Sequence, residues 1–285
     1  MYYRPSGEIA VETRTPIGRS YYDLAKQNAT IGGLKKQFGG TFTTDEGKGR
    51  YLRAMMGPPS APCSGCKIAF DRFGFNLVRA LLCHQSQQFP DHPPGKWKVL
   101  QELDPRILAN NTLVPFLVAA MEEYFKATFV ALLRYSPRKE TFLKGVRLQG
   151  DQLVRISDSE TTIEDEVADS LSFQRPSAIC KNFDALDPKL DLAGVLRKPF
   201  RRRKQSLLDS LEAVVVNRHE FIHRATLDMS LSDERITDTI YDLDSAMTRV
   251  YRRITSHYGY VFDRGWYLGR RSAQTKDQRQ ARKSA

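Results

Sequence analysis

Cysteine and long apolar runs are both scarce in this chain, and each scarcity excludes a class of protein. Four cysteines among 285 residues do not make a disulfide framework, which agrees with a reducing compartment. The longest apolar stretch, residues 113–133, carries Glu122, Glu123 and Lys126. It would therefore be a costly membrane span, and it predicts a buried helix instead. The N-terminus lacks the apolar core of a signal peptide, so we expect a cytoplasmic protein without a membrane partner.

Acidic side chains are too few to balance the basic ones. The chain has 44 Lys and Arg against 33 Asp and Glu, a formal charge of +11. Most of the excess lies in residues 197–204, "RKPFRRRK", and in residues 264–285. Such clusters are typical of a chain that binds a polyanion.

Glycine and proline dominate the first hundred residues. Clusters such as "IGGLKKQFGG" and "GPPSAPCSGC" predict loops and short elements there, with one helix over 68–84. Residues 1–100 are thus expected to be an irregular, mixed N-terminal extension. At the other end, residues 264–285 have little apolar content and predict a mobile basic tail.

The pattern is strongly helical between residues 105 and 260. The central helix is predicted over 111–135, with Asn111 or Thr112 as its cap and Pro115 in its first turn. Apolar residues at helical spacing predict further helices over 159–171 and 204–225, and a last one from Ser232 to near Gly259. This segment is therefore predicted to be an all-α domain.

Two catalytic patterns overlap in "NRHEFIHRA", residues 217–225. His219, Glu220 and His223 form H-E-x-x-H, the pattern of zinc metalloproteases. Arg218 and His223 form Arg-x4-His, which suits a metal-free ribonuclease, because phosphoryl transfer needs an acid, a base and a cation for the developing charge. H-E-x-x-H is the rarer pattern by chance, so the flanking residues must decide between them.

The flanking residues disfavour zinc. Zinc needs a third protein ligand, and Asp228 is the only near acid. Arg218 and Arg224 also place positive charge beside the histidines, which is the wrong sign for a dication. A plainer alternative is that His219 and His223, four residues apart, share a helix face without a catalytic role.

Three stretches in this order resemble the HEPN domains (higher eukaryotes and prokaryotes nucleotide-binding), close to the ribonuclease-type branch of bacterial toxin and phage-defence systems. They are "LVPFLVAAMEEYFKATF", "SFQRPSAICKNFDAL" and "NRHEFIHRA", and the resemblance covers about 113–258. The family motif of Arg, a polar residue and His corresponds to Arg218, His219 and His223. The resemblance implies an up-and-down α-helical bundle that forms a homodimer, with the two motifs in one interface cleft.

The same resemblance implies a metal-independent endoribonuclease that uses no cofactor and acts as a toxin or antiviral effector. Arg218 and His223 would be catalytic, with His219, Asn217 and Glu220 in support. An antitoxin or sensor protein encoded nearby is the expected partner. The basic side chains expected to contact the RNA backbone are Arg197, Lys198, Arg201, Arg202, Arg203, Lys204 and Arg224.

Two other functions stay open. The first is a non-catalytic HEPN module that dimerises and binds nucleotides, RNA or protein, because fold alone does not determine activity. The second is a zinc metalloprotease that uses the H-E-x-x-H pattern. Separately, Cys63 and Cys66 form a two-ligand knuckle that a zinc site would complete with Cys83 and His84.

Overall fold

We describe a computed structural model of the chain, which covers residues 2–3, 9–13, 21–43, 59–87, 103–200, 203–262 and 264. Strands β1 (Tyr2–Tyr3) and β2 (Ile9–Ala10) form a short antiparallel pair. Within the described residues there are ten helices: α1 (Tyr21–Phe38), α2 (Ala61–Ser86), α3 (Pro105–Tyr135), α4 (Lys139–Leu143), α5 (Gly150–Ser157), α6 (Ile163–Asp169), α7 (Pro176–Leu186), α8 (Leu192–Arg197), α9 (Leu207–Arg224) and α10 (Asp233–Tyr258).

The predicted all-α class is confirmed, since helices α2, α3, α9 and α10 pack around one apolar core. Helix α3 is central and contributes Leu117, Met121 and Phe125, all fully buried. Across the core, the rings of Phe70 on α2 and Tyr251 on α10 stack at 4.3 Å. No helix in the described part of the chain combines the length and apolarity needed to cross a membrane.

Helix α2 is longer than the helix predicted over 68–84, and it belongs to this core. It begins after Ser60, with Pro62 in its first turn, where the missing N–H of proline costs no hydrogen bond. Phe73 and Leu77 are fully buried with Phe70. The expected N-terminal extension of residues 1–100 therefore contributes a helix to the bundle.

Helix α3 also begins earlier than predicted. Its N-cap is Asp104, whose carboxylate accepts a hydrogen bond from the Arg106 N–H at 2.9 Å, and Pro105 follows in the first turn. The prediction that Asn111 or Thr112 caps this helix is wrong, and Pro115 lies in the helix interior. The Asn111 side chain is buried and has a different role, described below.

The last helix has the predicted ends, and the helix before it begins with a capping box. The hydroxyl of Ser232 accepts from the Arg235 N–H at the start of α10, and Gly259 ends the helix in the left-handed conformation, with φ of 67°. A capping box formed by Ser206 and Asp209 starts α9. A short connection from 225 to 232 links the two helices.

The predicted helix over 159–171 is shorter in the structure, where α6 is capped by Thr162. Glu166 on α6 is buried, and its carboxylate accepts from Gln152 and Arg155 of α5, at 3.0 and 2.8 Å. Buried carboxylates need such partners, so these polar contacts hold the short helix α5 against the bundle. The predicted tail lies outside the described residues except for Arg264.

Candidate functional site at the end of helix α9

The candidate site lies on the last two turns of α9, where the apolar stripe of the helix gives way to polar residues. Leu207, Leu211 and Val215 are buried against the core. From residue 217 onward no side chain of α9 is fully buried. The helix ends at Arg224 because Ala225 turns into the left-handed conformation, with φ of 50°. The polar residues of the overlapping patterns therefore extend beyond the packed core.

His219 and His223 lie side by side on an open face of the helix. Both side chains are exposed, and their ring centroids are 4.6 Å apart with the planes tilted by 46°. Neither imidazole forms a hydrogen bond or ion pair within the described part of the chain. The i, i+4 spacing thus presents two accessible proton donors or acceptors together.

Two exposed apolar side chains flank this histidine pair. Val216 is 56% exposed and Ile222 is 46% exposed, high values for branched aliphatic residues. At roughly 100° per residue, Val216, His219 and Ile222 follow one another around one side of α9. The last turns of the helix therefore combine apolar surface with titratable groups.

Arg218 lies on a different part of the helix, half-buried near Glu122 of α3. Burial raises the pKa of the Glu122 carboxyl, and the positive charge of Arg218 lowers it in part. One carboxylate oxygen of Glu122 is buried without a hydrogen-bond partner. Glu122 was not among the residues predicted for the site, and its carboxyl lies close enough to Arg218 to be affected by the positive charge.

Arg218 and His223 are not brought together within one chain. Five residues at roughly 100° each put them about 140° apart around the helix axis. In agreement with this, Arg218 lies toward α3, whereas His223 is exposed beside His219. A reaction that used both side chains would need either a second copy of the chain or a substrate that reaches around the helix.

The predicted supporting residues have two separate roles. The Asn217 amide donates to the Asp228 carboxylate at 3.0 Å. Asn111 of α3 fixes the same residue, because its side-chain oxygen accepts from the Asp228 N–H at 2.8 Å and its amide donates to the Asp228 carbonyl at 3.2 Å. Asn217 and Asn111 thus anchor the connection after α9. Sequence reasoning missed Asn111 as an anchor, since its partner is 117 residues away.

Glu220 and Arg224 pair with each other. The Arg224 guanidinium donates to the Glu220 carboxylate at 3.0 Å, and the arginine side chain is 67% exposed. This arrangement is an ordinary i, i+4 helix pair, which contributes a few tenths of a kcal/mol, about 0.3–0.5. Glu220 is therefore engaged as an ion-pair partner on the helix surface.

The basic segment before α9 is divided between solvent and the bundle. Arg197, Lys198 and Lys204 are exposed, as contacts to a phosphate backbone require. Arg203, in contrast, donates to the buried Asp242 at 2.5 Å, so its charge is used within the chain. Arg201 and Arg202 lie outside the described residues.

The zinc site that the cysteines left open is not assembled in the structure. Cys63 and Cys66 lie in the first two turns of α2 and Cys83 and His84 in the last, so at 1.5 Å per residue the two pairs are about 30 Å apart. Burial, with Cys63 beside it, raises the pKa of the Cys66 thiol to about 12, which disfavours the thiolate that binds zinc. Across the described ranges, no three His, Cys, Asp or Glu side chains are grouped as metal ligands.

The H-E-x-x-H pattern also lacks a third ligand, because the nearby acid is engaged elsewhere. Asp228, the acid considered for this position, uses one carboxylate oxygen for Asn217 and the other for the Ser230 N–H at 2.9 Å. Glu220, the residue that would act as the base of a protease, is paired with Arg224. The arrangement thus offers the two histidines no third ligand and no free glutamate base.

Comparison with protein-family models, with curated proteins and with solved structures found no match to this chain. What the structure defines is an all-α helical bundle with an exposed histidine pair at the end of a core helix. The relation to HEPN domains stays a prediction from the sequence.

Proposed function

We propose that the protein is a metal-independent endoribonuclease of HEPN type, whose active site combines the α9 ends of two copies of the chain. The observation that carries this proposal is the exposed pair His219 and His223, flanked by the exposed apolar side chains Val216 and Ile222. Apolar side chains at the centre of such a surface favour association, and the imidazoles supply acid–base groups at the same place.

The separation of Arg218 from His223 supports a composite site. A second copy related by twofold symmetry would present the same face of α9, so that each motif would lie opposite the other. Arg218 is half-buried near Glu122, and its guanidinium forms no ion pair within the described part of the chain. Its charge is therefore available to a phosphate, as electrostatic stabilisation of a transition state requires.

The chemistry follows from these groups. His223 takes the proton of the ribose 2′-hydroxyl, and the 2′-oxygen forms a bond to phosphorus. Arg218 stabilises the negative charge of the pentacovalent phosphate. The P–O5′ bond then breaks, and His223 of the second copy gives a proton to the leaving 5′-oxygen. The products are a 2′,3′-cyclic phosphate and a 5′-hydroxyl, so DNA, which lacks the 2′-hydroxyl, is not cleaved.

Cleavage of labelled RNA in the presence of EDTA tests this proposal. We expect the wild-type protein to cleave RNA and to leave DNA of the same sequence intact, and we expect Arg218→Ala and His223→Ala each to lower the rate by at least about a hundredfold. His84→Ala is the matched control, since that histidine belongs to neither motif and lies on α2, with its Nε2 3.3 Å from the Thr237 hydroxyl oxygen. Activity that EDTA abolishes, or that survives His223→Ala, contradicts the proposal.

Mixing the His223→Ala chain with the wild type tests the composite site. Because the proposed mechanism uses His223 of both copies, a mixed dimer with one intact His223 should be inactive, so excess variant should suppress the wild-type activity. A site within one chain would leave the wild-type activity unchanged.

A non-catalytic HEPN module is the second candidate, and the exposed Val216 and Ile222 favour it equally, because they support dimerisation without chemistry. The same assays separate the two functions: dimerisation and RNA binding without any cleavage would indicate the module.

For the catalytic function we further propose a toxin or antiviral effector restrained by a partner protein. Expression of the wild-type chain alone should then slow cell growth, and expression of the His223→Ala chain should not.

A further inference from the structure

The outer face of α2 carries a regular row of exposed apolar side chains. Ile68 is 53% exposed, Phe75 is 37% exposed and Leu82 is 59% exposed. On the opposite face of the same helix, Phe73 and Leu77 are fully buried in the core. Single apolar residues are common on protein surfaces, but these three recur at intervals of seven residues along one helix. Helix α2 therefore has a second apolar stripe, which is open to solvent.

Two arginines lie on the same stripe, between the apolar residues. Arg72 and Arg79 are both exposed. At roughly 100° per residue, they share with the three apolar side chains an arc of about 80° around the helix axis. The order along the stripe is thus apolar, basic, apolar, basic and apolar, over a length of about 21 Å at 1.5 Å per residue. The surface is therefore both hydrophobic and positively charged.

No acid balances these two arginines within the described part of the chain. Arg72 forms no hydrogen bond or ion pair there, and the Arg79 guanidinium donates to the Asn76 side-chain oxygen at 3.1 Å. The one acid of α2, Asp71, is paired with Lys67 at 2.5 Å. Two positive charges on this face are therefore available to an acidic partner.

The spacing along the stripe suits a helical partner. The exposed positions 68, 72, 75, 79 and 82 alternate in steps of four and three, as in the seam of a coiled coil. A helix that crosses α2 at about 20° follows such a seam, because the two sets of side chains then meet every seven residues. A nucleic acid would leave the aliphatic side chains of Ile68 and Leu82 without a matching surface, since it is bound through phosphates and base stacking.

A second copy of α2 is a poor partner for this stripe. In an antiparallel pair centred on Phe75, Arg72 of one copy would lie next to Arg79 of the other. In a parallel pair, each arginine would lie next to the same arginine of the other copy. Both arrangements bring like charges together in an apolar contact, which is destabilising. A helix that carries acids avoids this repulsion.

We infer that this stripe of α2 is a docking surface for an acidic amphipathic helix of another protein. Apolar side chains of that helix cover Ile68, Phe75 and Leu82, and its carboxylates pair with Arg72 and Arg79. The apolar contacts supply affinity, and the charges select the partner. The stripe belongs to α2 and the histidine pair to α9, so the inference does not depend on the proposed RNA cleavage.

Two designed peptides test the inference on the full chain. Each is a helix of about 21 residues, or three heptads, with leucines along one seam. One peptide has glutamates beside the seam, and the other has lysines at the same positions. In fluorescence anisotropy, the acidic peptide should bind saturably and at least about tenfold more tightly than the basic one. A wild-type chain that binds neither peptide, or both equally, overturns the inference.

Variants test whether the peptide binds at the stripe. The double variant Arg72→Glu, Arg79→Glu should lose the acidic peptide and bind the basic one instead, because the sign of the charge is reversed. Leu82→Ala should weaken binding of the acidic peptide about fivefold, since apolar contact is lost. The matched control is Lys144→Glu with Arg147→Glu, which makes the same charge change at two exposed positions after α4 and should bind as the wild type does. All five positions are exposed, so thermal melting by circular dichroism should find the variants folded.

Two outcomes would identify a different occupant and overturn the inference. In analytical ultracentrifugation, a dimeric wild type that became monomeric in the Arg72→Glu, Arg79→Glu variant would assign the stripe to a second copy. Binding of single-stranded RNA that this variant lost and the control variant retained would assign the stripe to a nucleic acid. His223→Ala should bind the acidic peptide as tightly as the wild type while losing RNA cleavage, so the two proposals can fail separately.

Discussion

Glu122 is an acid whose charge is only partly compensated. Because its pKa is higher in the folded chain than in the unfolded one, its ionisation costs stability. This cost is absent below the unfolded pKa of about 4.3 and develops as the pH rises through the folded value. We therefore predict that Glu122→Gln is more stable than the wild type at pH 7, and that the gain disappears as the pH falls toward 4. Urea denaturation across this range measures it.

The exposed neighbour Glu123 provides the control for this measurement. Glu123→Gln should change the urea midpoint little at any pH, since its carboxylate is exposed. A gain for Glu122→Gln that was the same at pH 4 and pH 7 would mean that packing, not ionisation, separates the two proteins.

Individual residues of the site differ in how far the sequence could predict them. Arg218, His219 and His223 form a local pattern, so their spacing on a helix could be read directly, and the 140° separation followed from helix geometry. The acid that lies near Arg218 could not be predicted, because Glu122 is on another helix. The same holds for Asn111, whose sequence context favours a helix cap, whereas burial makes it an anchor for Asp228.

Among the helices, α2 and α3 approach so closely that one position admits only glycine. A Cβ atom added at Gly65 would be 2.7 Å from the Cβ of Ala131 on α3, which is closer than such atoms can pack. We predict that Gly65→Ala lowers the free energy of unfolding by about 1–3 kcal/mol, as overpacking a core typically does. Ala131→Gly in the same chain should recover part of the loss, and urea denaturation of the four proteins measures the coupling.

Gly33 in α1 is a suitable control, since a Cβ added there meets nothing within 4 Å. Gly33→Ala should leave stability unchanged or raise it by up to about 1 kcal/mol, because alanine is the better helix former. If Gly65→Ala behaved in the same way, α2 and α3 would not be in close contact.

Helix ends could be predicted from capping residues, which mark an end directly. They could not be predicted from prolines, which either start a helix or break one. Ser232 and Gly259 mark the ends of α10 in both sequence and structure. Pro62 and Pro105, however, start α2 and α3, although proline clusters also break helices. Taking the "GPPSAPCSGC" cluster as a loop concealed the start of α2, and with it the fact that Cys63 and Cys66 belong to a helix.

At the scale of the whole molecule, the sequence predicted an all-α bundle but not how much of the chain belongs to it. The stacking of Phe70 on Tyr251 joins α2 to the last helix, so the core includes residues from the expected extension. Such contacts depend on the order in which helices pack, and periodicity reports only which face of each helix is apolar. Membership of α2 in the core therefore required the structure.

The proposed homodimer gives a prediction for the assembly. Ile222 is 46% exposed on α9 and makes little contribution to the core of its own chain, so Ile222→Glu should leave the fold and the thermal midpoint nearly unchanged. In a dimer that buries this face, the same change would place a carboxylate in an apolar contact and split the complex. Analytical ultracentrifugation should then find the wild type dimeric and Ile222→Glu monomeric at equal concentration.

Val154 on α5 provides the matched control for Ile222→Glu. It is 58% exposed, and Val154→Glu introduces the same charge at an apolar surface position on a different helix. That variant should remain dimeric and should cleave RNA as the wild type does. Because Arg218 and His223 do not meet within one chain, loss of the dimer in Ile222→Glu should abolish cleavage together with association. A monomeric wild type that cleaves RNA would show instead that one copy of α9 is sufficient.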